Sequence, residues 1–167
     1  MTKTAYTWSL ATGHDVNEIV ALAQQNFQNE IDEFFSIEPP VYTRNLIFAV
    51  TNQFFLPGTE LVAVARCADD QRVIAYTWAK ASESTVWADD PMTVIRIAHL
   101  DLNLSSRLRR QLVLDMMDHW ERFARFAGNR VICSTTMRAD QTGFLRLHAQ
   151  RGYTVRGSYC YKKLDQY

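Results

Sequence analysis

Residues 93–127, TVIRIAHLDLNLSSRLRRQLVLDMMDHWERFARFA, decide the fold. The part before Ser105 reads as a strand, and the part after it as a long amphipathic helix. Leu108, Leu112, Val113, Met116, Met117, Trp120, Phe123, Ala124 and Ala127 recur at three- and four-residue steps, so one stripe of that helix is expected against a sheet. Arg109, Arg110, Asp115, Asp118, Glu121, Arg122 and Arg125 fall mainly on the other side. Ser105 or Ser106 supplies an N-cap, and Gly128 with Asn129 ends the helix. A strand running into a helix N-terminus presents backbone N–H groups to an anion.

Working outward, Thr4 to Ala11 has the content of a short strand. Asp15 then caps a helix through about Asn29, with Val16, Ile19, Val20, Ala23 and Phe27 at helical spacing. Ile31 to Tyr42 is expected to be irregular, because Pro39 and Pro40 stop regular structure and push Glu38 into an extended conformation. Phe34, Phe35 and Ile37 in that segment suit a lid over a groove or a partner contact. Thr43 caps a second helix to Phe55, which Pro57 and Gly58 terminate. Glu60 to Cys67 and Arg72 to about Ala81 read as a hairpin turning at Asp69-Asp70. Glu83 to Pro91 reads as a polar loop into the central strand.

Beyond the central helix, Arg130 to Thr135 reads as a short strand buried on both faces. Asp140 caps a last helix, Gln141 to Arg151, closed by Gly152, and Tyr153 to Leu164 makes a final strand. The order β-α-α-β-β-β-α-β-α-β defines an α+β fold with a mixed, mostly antiparallel sheet. At 167 residues with no repeat or internal boundary, it is expected to form one domain.

Hydrophobic residues make up 47%, which excludes wholesale disorder. Lys plus Arg equals Asp plus Glu at 18 each, so no overall field recruits nucleic acid or a membrane surface. Cys67, Cys133 and Cys160 lie in apolar runs without paired spacing and read as buried small hydrophobes in a reducing compartment. No signal peptide and no apolar run long enough for a bilayer is visible. The expected location is the cytoplasm, or a particle assembled after cytoplasmic synthesis. His14 and His119 have no partners at metal-ligand spacing, and no zinc motif is found.

The element order, with the spacing inside it, resembles the GNAT superfamily of acetyl-CoA-dependent N-acetyltransferases. That family's central strand runs into V-x-P-x-x-[RQ]-G-x-G-x-[GA]; here Leu102 stands at the valine, Leu104 at the proline and Arg107 at the basic or amide position. Further on the family has N-x-x-A-x-x-L-Y-x-x-x-G-F, where this chain has Gln141, Phe144, Leu147, His148, Gly152 and Tyr153. The segment LHAQRGY is the most specific match. The resemblance implies acetyl-CoA as cofactor, with its pyrophosphate at Leu102, Arg107, Arg109, Arg110, Gln111 and Leu112, and Gln141 at the family's asparagine.

The departures fall where the family does its chemistry. Loop glycines let backbone N–H groups converge on the pyrophosphate, and Leu108, Arg110 and Leu112 replace all three. Arg107, Arg109 and Arg110 would then have to supply charge through bidentate phosphate contacts; the alternative is a solvated basic first turn. His148 replaces the tyrosine that in many family members protonates the leaving thiolate, and histidine is capable of the same work. His99 and Asp101, on one face near the end of the central strand, are the base candidates, unless Asp101 merely caps or bridges to arginine.

These losses imply a GNAT fold with an eroded site, kept as a non-catalytic structural or binding module. Tailed-bacteriophage particles are one setting in which such folds are reused. Phe34, Phe35, Phe54, Phe55 and Trp87 would anchor a protein partner, a homo-oligomer or a larger assembly. The alternative is an active N-acetyltransferase with an unknown amine acceptor. A third reading is a small antagonist of a host enzyme.

Overall fold

The computed structural model describes residues 5–30, 34–36, 38–86, 88–138 and 141–157. In chain order the elements are β1 (Tyr6–Leu10), α1 (Val16–Phe27), α2 (Pro39–Phe55), β2 (Glu60–Cys67), β3 (Val73–Thr85), β4 (Ala88–Leu100), α3 (Ser106–Phe126), β5 (Val131–Ser134) and α4 (Thr142–Gln150). One five-stranded sheet runs in the order β1-β2-β3-β4-β5. The first four strands pair antiparallel, and β5 pairs parallel to β4. The fold is α+β, with α3 as the crossover that a parallel neighbour requires.

Two cores lie on opposite faces of the sheet. On one, α1 and α2 bury Ile19, Leu22, Leu46 and Val50 against Val62, Val64 and Tyr76. On the other, Leu112, Met116, Met117, Trp120 and Phe123 of α3 cover Ala63, Ala65, Ile74 and Ala75. Small side chains on β2 and β3 let the large α3 side chains seat closely. Buried polar groups tie the layers together. Gln53 of α2 donates to the Ala11 carbonyl at 2.6 Å and accepts the Val62 N–H at 2.9 Å. Trp120 donates its Nε1–H to Thr77 Oγ1 at 2.7 Å.

The α3 boundaries follow the sequence. Ser105 Oγ accepts the Leu108 N–H at 3.3 Å. At the other end Gly128 takes φ +74°, a left-handed conformation that glycine adopts without a Cβ clash. Asn129 N–H then reaches the Ala124 carbonyl and Gly128 N–H the Arg125 carbonyl, the Schellman pattern. Asn129 also donates to Thr93 Oγ1 at 3.0 Å, pinning the start of β5 to β4.

Several sequence expectations are corrected. Helix α2 starts at Pro39 rather than after Thr43, because proline at the first helical turn loses only an N–H that has no helical partner. Thr43 lies inside the helix and donates to the Pro39 carbonyl at 2.8 Å, while Glu38 is extended at the N-cap as expected. The polar stretch from Glu83 is not a loop: β3 continues to Thr85 and β4 begins at Ala88. The hairpin tip is exposed, so its polarity reflects solvent rather than absence of a strand. Asp15 does not cap α1 through its side chain; the carboxylate instead bonds back to the N–H and hydroxyl of Thr12 and pairs with Arg66. Strand β5 is not buried on both faces, since Val131 is exposed and its other residues are half-buried. Tyr153–Gly157 is not strand, and residues 158–164 of the expected final strand lie outside the described residues. The same holds for Asp140, Ile37, Trp87 and Cys160.

Candidate functional site

The site originates in a fault in β4. Trp78 of β3 faces Ile97 and the next residue, Ala79, faces Ile95, so Arg96 bulges out of the ladder. A bulge bends a strand and interrupts its pairing. Accordingly β4 and β5 pair only from Met92–Val131 to Ile95–Ser134. Beyond that point they part, and a cleft of about 720 Å³ opens between Arg96–Leu100 and Thr135–Arg138. The cleft spans both faces of the sheet. Phe27, Glu30 and Phe35 line it from the α1 side, and Ser106, Arg109, Arg110 and Val113 from α3. Gly143, Phe144, Arg146, Leu147 and Gln150 of α4 complete the wall.

The charges are sorted. Arg109, Arg110, Arg138 and Arg146 gather on the α3 and α4 side, whereas Glu30 is the one carboxylate among the described lining residues. The Nε of Arg109 is buried and has no hydrogen-bond partner. Such an orphaned donor on a cationic residue is what an anionic ligand would satisfy. The backbone offers less, because the Leu108 N–H is taken by Ser105 Oγ and the Arg109 N–H by the Ser105 carbonyl.

A buried chain of hydrogen bonds enters the cleft from α2. Tyr42 and Tyr76 hydroxyls lie 2.8 Å apart, Tyr76 Oη lies 2.8 Å from His99 Nδ1, and His99 Nε2 lies 3.0 Å from Glu30 Oε2. One proton assignment satisfies every atom: Tyr42 donates to Tyr76, Tyr76 to Nδ1, and Nε2–H to the carboxylate. Burial, reinforced by the charge of Glu30, holds both phenols well above the ordinary tyrosine value, so they stay donors. Phe27 packs edge-on against both His99 and Tyr42, at 5.0 and 5.1 Å between ring centres.

The residues expected from sequence are placed as follows. His99, Leu102, Arg109 and Arg110 line the cleft. Asp101 does not join His99. It pairs with Arg72 at 2.7 Å and accepts the Asn103 N–H at 2.9 Å. Burial disfavours its carboxylate, but these two partners outweigh that and hold it below the usual carboxylate range. His148 is 3% exposed and is not among the residues that line the cleft. Its Nδ1 meets the Phe144 carbonyl at 2.9 Å, and its Nε2 meets the Ser134 hydroxyl at 3.0 Å. The rings of Trp120, Phe144 and Tyr153 enclose it, and burial lowers its pKa. Leu112 is wholly buried in the core, Arg107 and Gln141 are exposed, and Gln111 is engaged by Asp115 at 2.8 Å.

Phe35 lines the cleft, while Phe54 and Phe55 are exposed at the end of α2 and Phe34 is half-buried. Among the described residues no helix is long and apolar enough to cross a membrane, and no cluster of three His, Cys, Asp or Glu forms a metal site. Sequence reasoning missed Glu30, Arg138, Arg146 and the tyrosine pair. Nothing in their local pattern marks them, because the topology alone brings them together.

Neither a protein-family model nor a curated protein sequence matches this chain. Its shape does match solved acetyltransferases. The aminoglycoside N-acetyltransferase AAC(6')-Iy, in complex with the bisubstrate analogue CoA-S-monomethyl-acetylneamine, is 12% identical with a TM-score of 0.68, over 98% of this chain and 100% of that one. A predicted acetyltransferase with acetyl-CoA from Clostridium acetobutylicum is 12% identical with a TM-score of 0.70, over 95% and 96%. Glucosamine-6-phosphate N-acetyltransferase from Arabidopsis thaliana is 11% identical with a TM-score of 0.66, over 96% and 99%. The chain therefore has the fold of the GNAT acetyltransferases.

Proposed function

We propose that the protein is an acetyl-CoA-dependent N-acetyltransferase whose pyrophosphate contacts come from arginine side chains in place of loop amides. The observation that carries this reading is the open cleft at the β4–β5 splay. Its α3 and α4 wall is cationic, and Arg109 Nε is left without a partner. Arg109 and Arg110 on the first turns of α3 would hold the anion, with Arg138 and Arg146 opposite. Guanidinium groups reach phosphate bidentately without the close backbone approach that glycines allow. Bound acetyl-CoA would supply the acetyl thioester. On the other face, Glu30, held in place by His99, would take the proton of the amine. His148 has both ring nitrogens engaged and serves packing.

Two observations favour a second reading, the eroded and non-catalytic module. The family's acid position is occupied by an enclosed histidine, and Phe54 and Phe55 stand exposed where a partner would contact them. A component of a bacteriophage particle belongs to this reading. Calorimetric titration with acetyl-CoA, then with coenzyme A, separates the two. Micromolar binding supports the transferase reading and justifies a screen of amines for acetylation. Absence of heat at millimolar ligand sinks it and leaves the partner-binding module.

A further inference from the structure

The two faces of the cleft carry opposite chemistry. On the α3 and α4 side stand the arginines; on the α1 side, among the described residues, stand one carboxylate, Glu30, and the rings of Phe27 and Phe35. Glu30 follows the end of α1 by three residues, its side chain is 14% exposed, and its Oε2 is held by His99 at 3.0 Å. His99 is fixed in turn by Tyr76, and Tyr76 by Tyr42. This half-buried carboxylate accepts one hydrogen bond from His99 and keeps acceptor capacity for a cationic group in the cleft. Arg96, which also lines the cleft, is paired with Glu83 at 3.0 Å.

We propose that Glu30 is the acceptor-recognition residue of this cleft. Its carboxylate receives the substrate amine as a primary ammonium ion on an apolar stem. Phe27 and Phe35 flank that stem and add cation–π attraction. This rests on the transferase reading above and extends it to the class of substrate. The ammonium gives one proton to Glu30. The freed lone pair forms the N–C bond as the thioester C–S bond breaks with its electrons on sulfur. The second amine proton goes to that sulfur, and Glu30 releases its proton to solvent. His99, Tyr76 and Tyr42 are positioning residues: they hold the carboxylate and do not touch the amine.

The test uses the full chain with saturating coenzyme A and follows the His99 ring resonances by NMR, assigned against a His99→Asn variant. The probe is butylammonium, with 1-pentanol as an uncharged control of similar length. A saturable shift with butylammonium and none with pentanol is expected. In Glu30→Gln the affinity should fall about tenfold or more, the size of one charge-assisted contact. Glu30→Asp, which keeps the charge, should retain part of it, and this guards against a misfolded variant. No shift in the unmodified chain, or an equal one in Glu30→Gln, overturns the proposal. Separate calorimetry with acetyl-CoA keeps the two readings apart. Acetyl-CoA binding without a butylammonium response removes Glu30 and leaves the transferase reading. A butylammonium response without acetyl-CoA binding does the reverse, leaving an ammonium site in a protein that is not an acetyltransferase.

Discussion

At position 148 the place of the histidine at the family's tyrosine position suggested acid–base work, and its surroundings argue against a role at the cleft. The imidazole bonds the Ser134 hydroxyl and the Phe144 carbonyl and sits among three aromatic rings. A helical pattern fixes which residues share a face, not which face meets the cleft, so the orientation was not legible. Burial lowers this histidine's pKa from 6.5, so the unfolded chain binds the proton more readily than the folded one. The contribution of this group is fully present above pH 6.5 and is lost as pH falls below that value. His119 is lowered likewise by burial and by Arg122, so His148→Phe should flatten the urea-stability profile between about pH 7 and 5 only in part. Acetylation, if present, should survive that substitution. Asp101 makes the complementary case. With Arg72 half-exposed, Asp101→Asn should cost about 1 kcal/mol, less than a buried hydrogen bond to a charged group, and leave acetyl-CoA affinity unchanged. Loss of acetylation at unchanged stability would reinstate Asp101 as the base.

At the scale of elements, the strongest periodicities read correctly. The stripe of α3 from Leu112 to Ala124 is buried as the three- and four-residue spacing required, and its Ser105 and Gly128 boundaries hold. Replacing Ser105 with Ala should cost about 1 kcal/mol, read as a denaturant midpoint shift at constant slope. A cost near zero would mean that solvent caps Leu108 equally well. Errors arose where one residue type serves two purposes. Pro39 and Pro40 open a helix as readily as they end one, and the polar residues from Glu83 to Asp90 lie on strands whose faces are both wet. The feature that creates the cleft had no signature at all. The bulge at Arg96 is a mismatch in register between β3 and β4, and register depends on the partner strand as much as on β4 itself.

For the whole molecule, the sheet separates two cores, and the cleft is where the halves meet without filling the space. Phe27 and Glu30 border it from one side, and Val113, Phe144 and Leu147 from the other. A ligand lodged there would contact groups from both faces, so its binding should be coupled to global unfolding rather than to a local loop. On the proposed reading, acetyl-CoA at one hundred times its dissociation constant would stabilise the native state by about 2.7 kcal/mol. For a chain of this size that corresponds to a rise in Tm of about 5–10 °C. If arginines rather than backbone amides hold the phosphates, the rise should shrink as ionic strength increases, because the groups at the rim are screened. It should also fall sharply in Arg109→Ala and Arg110→Ala, whereas Arg107→Ala, on a residue exposed outside the cleft, should match the unmodified protein. Differential scanning calorimetry with and without acetyl-CoA at two salt concentrations measures all of this in one set of scans. A Tm that does not move with ligand would leave the cationic wall without its anion. An equal rise in all three variants would return phosphate binding to the backbone amides, and with it the resemblance to an intact pyrophosphate loop.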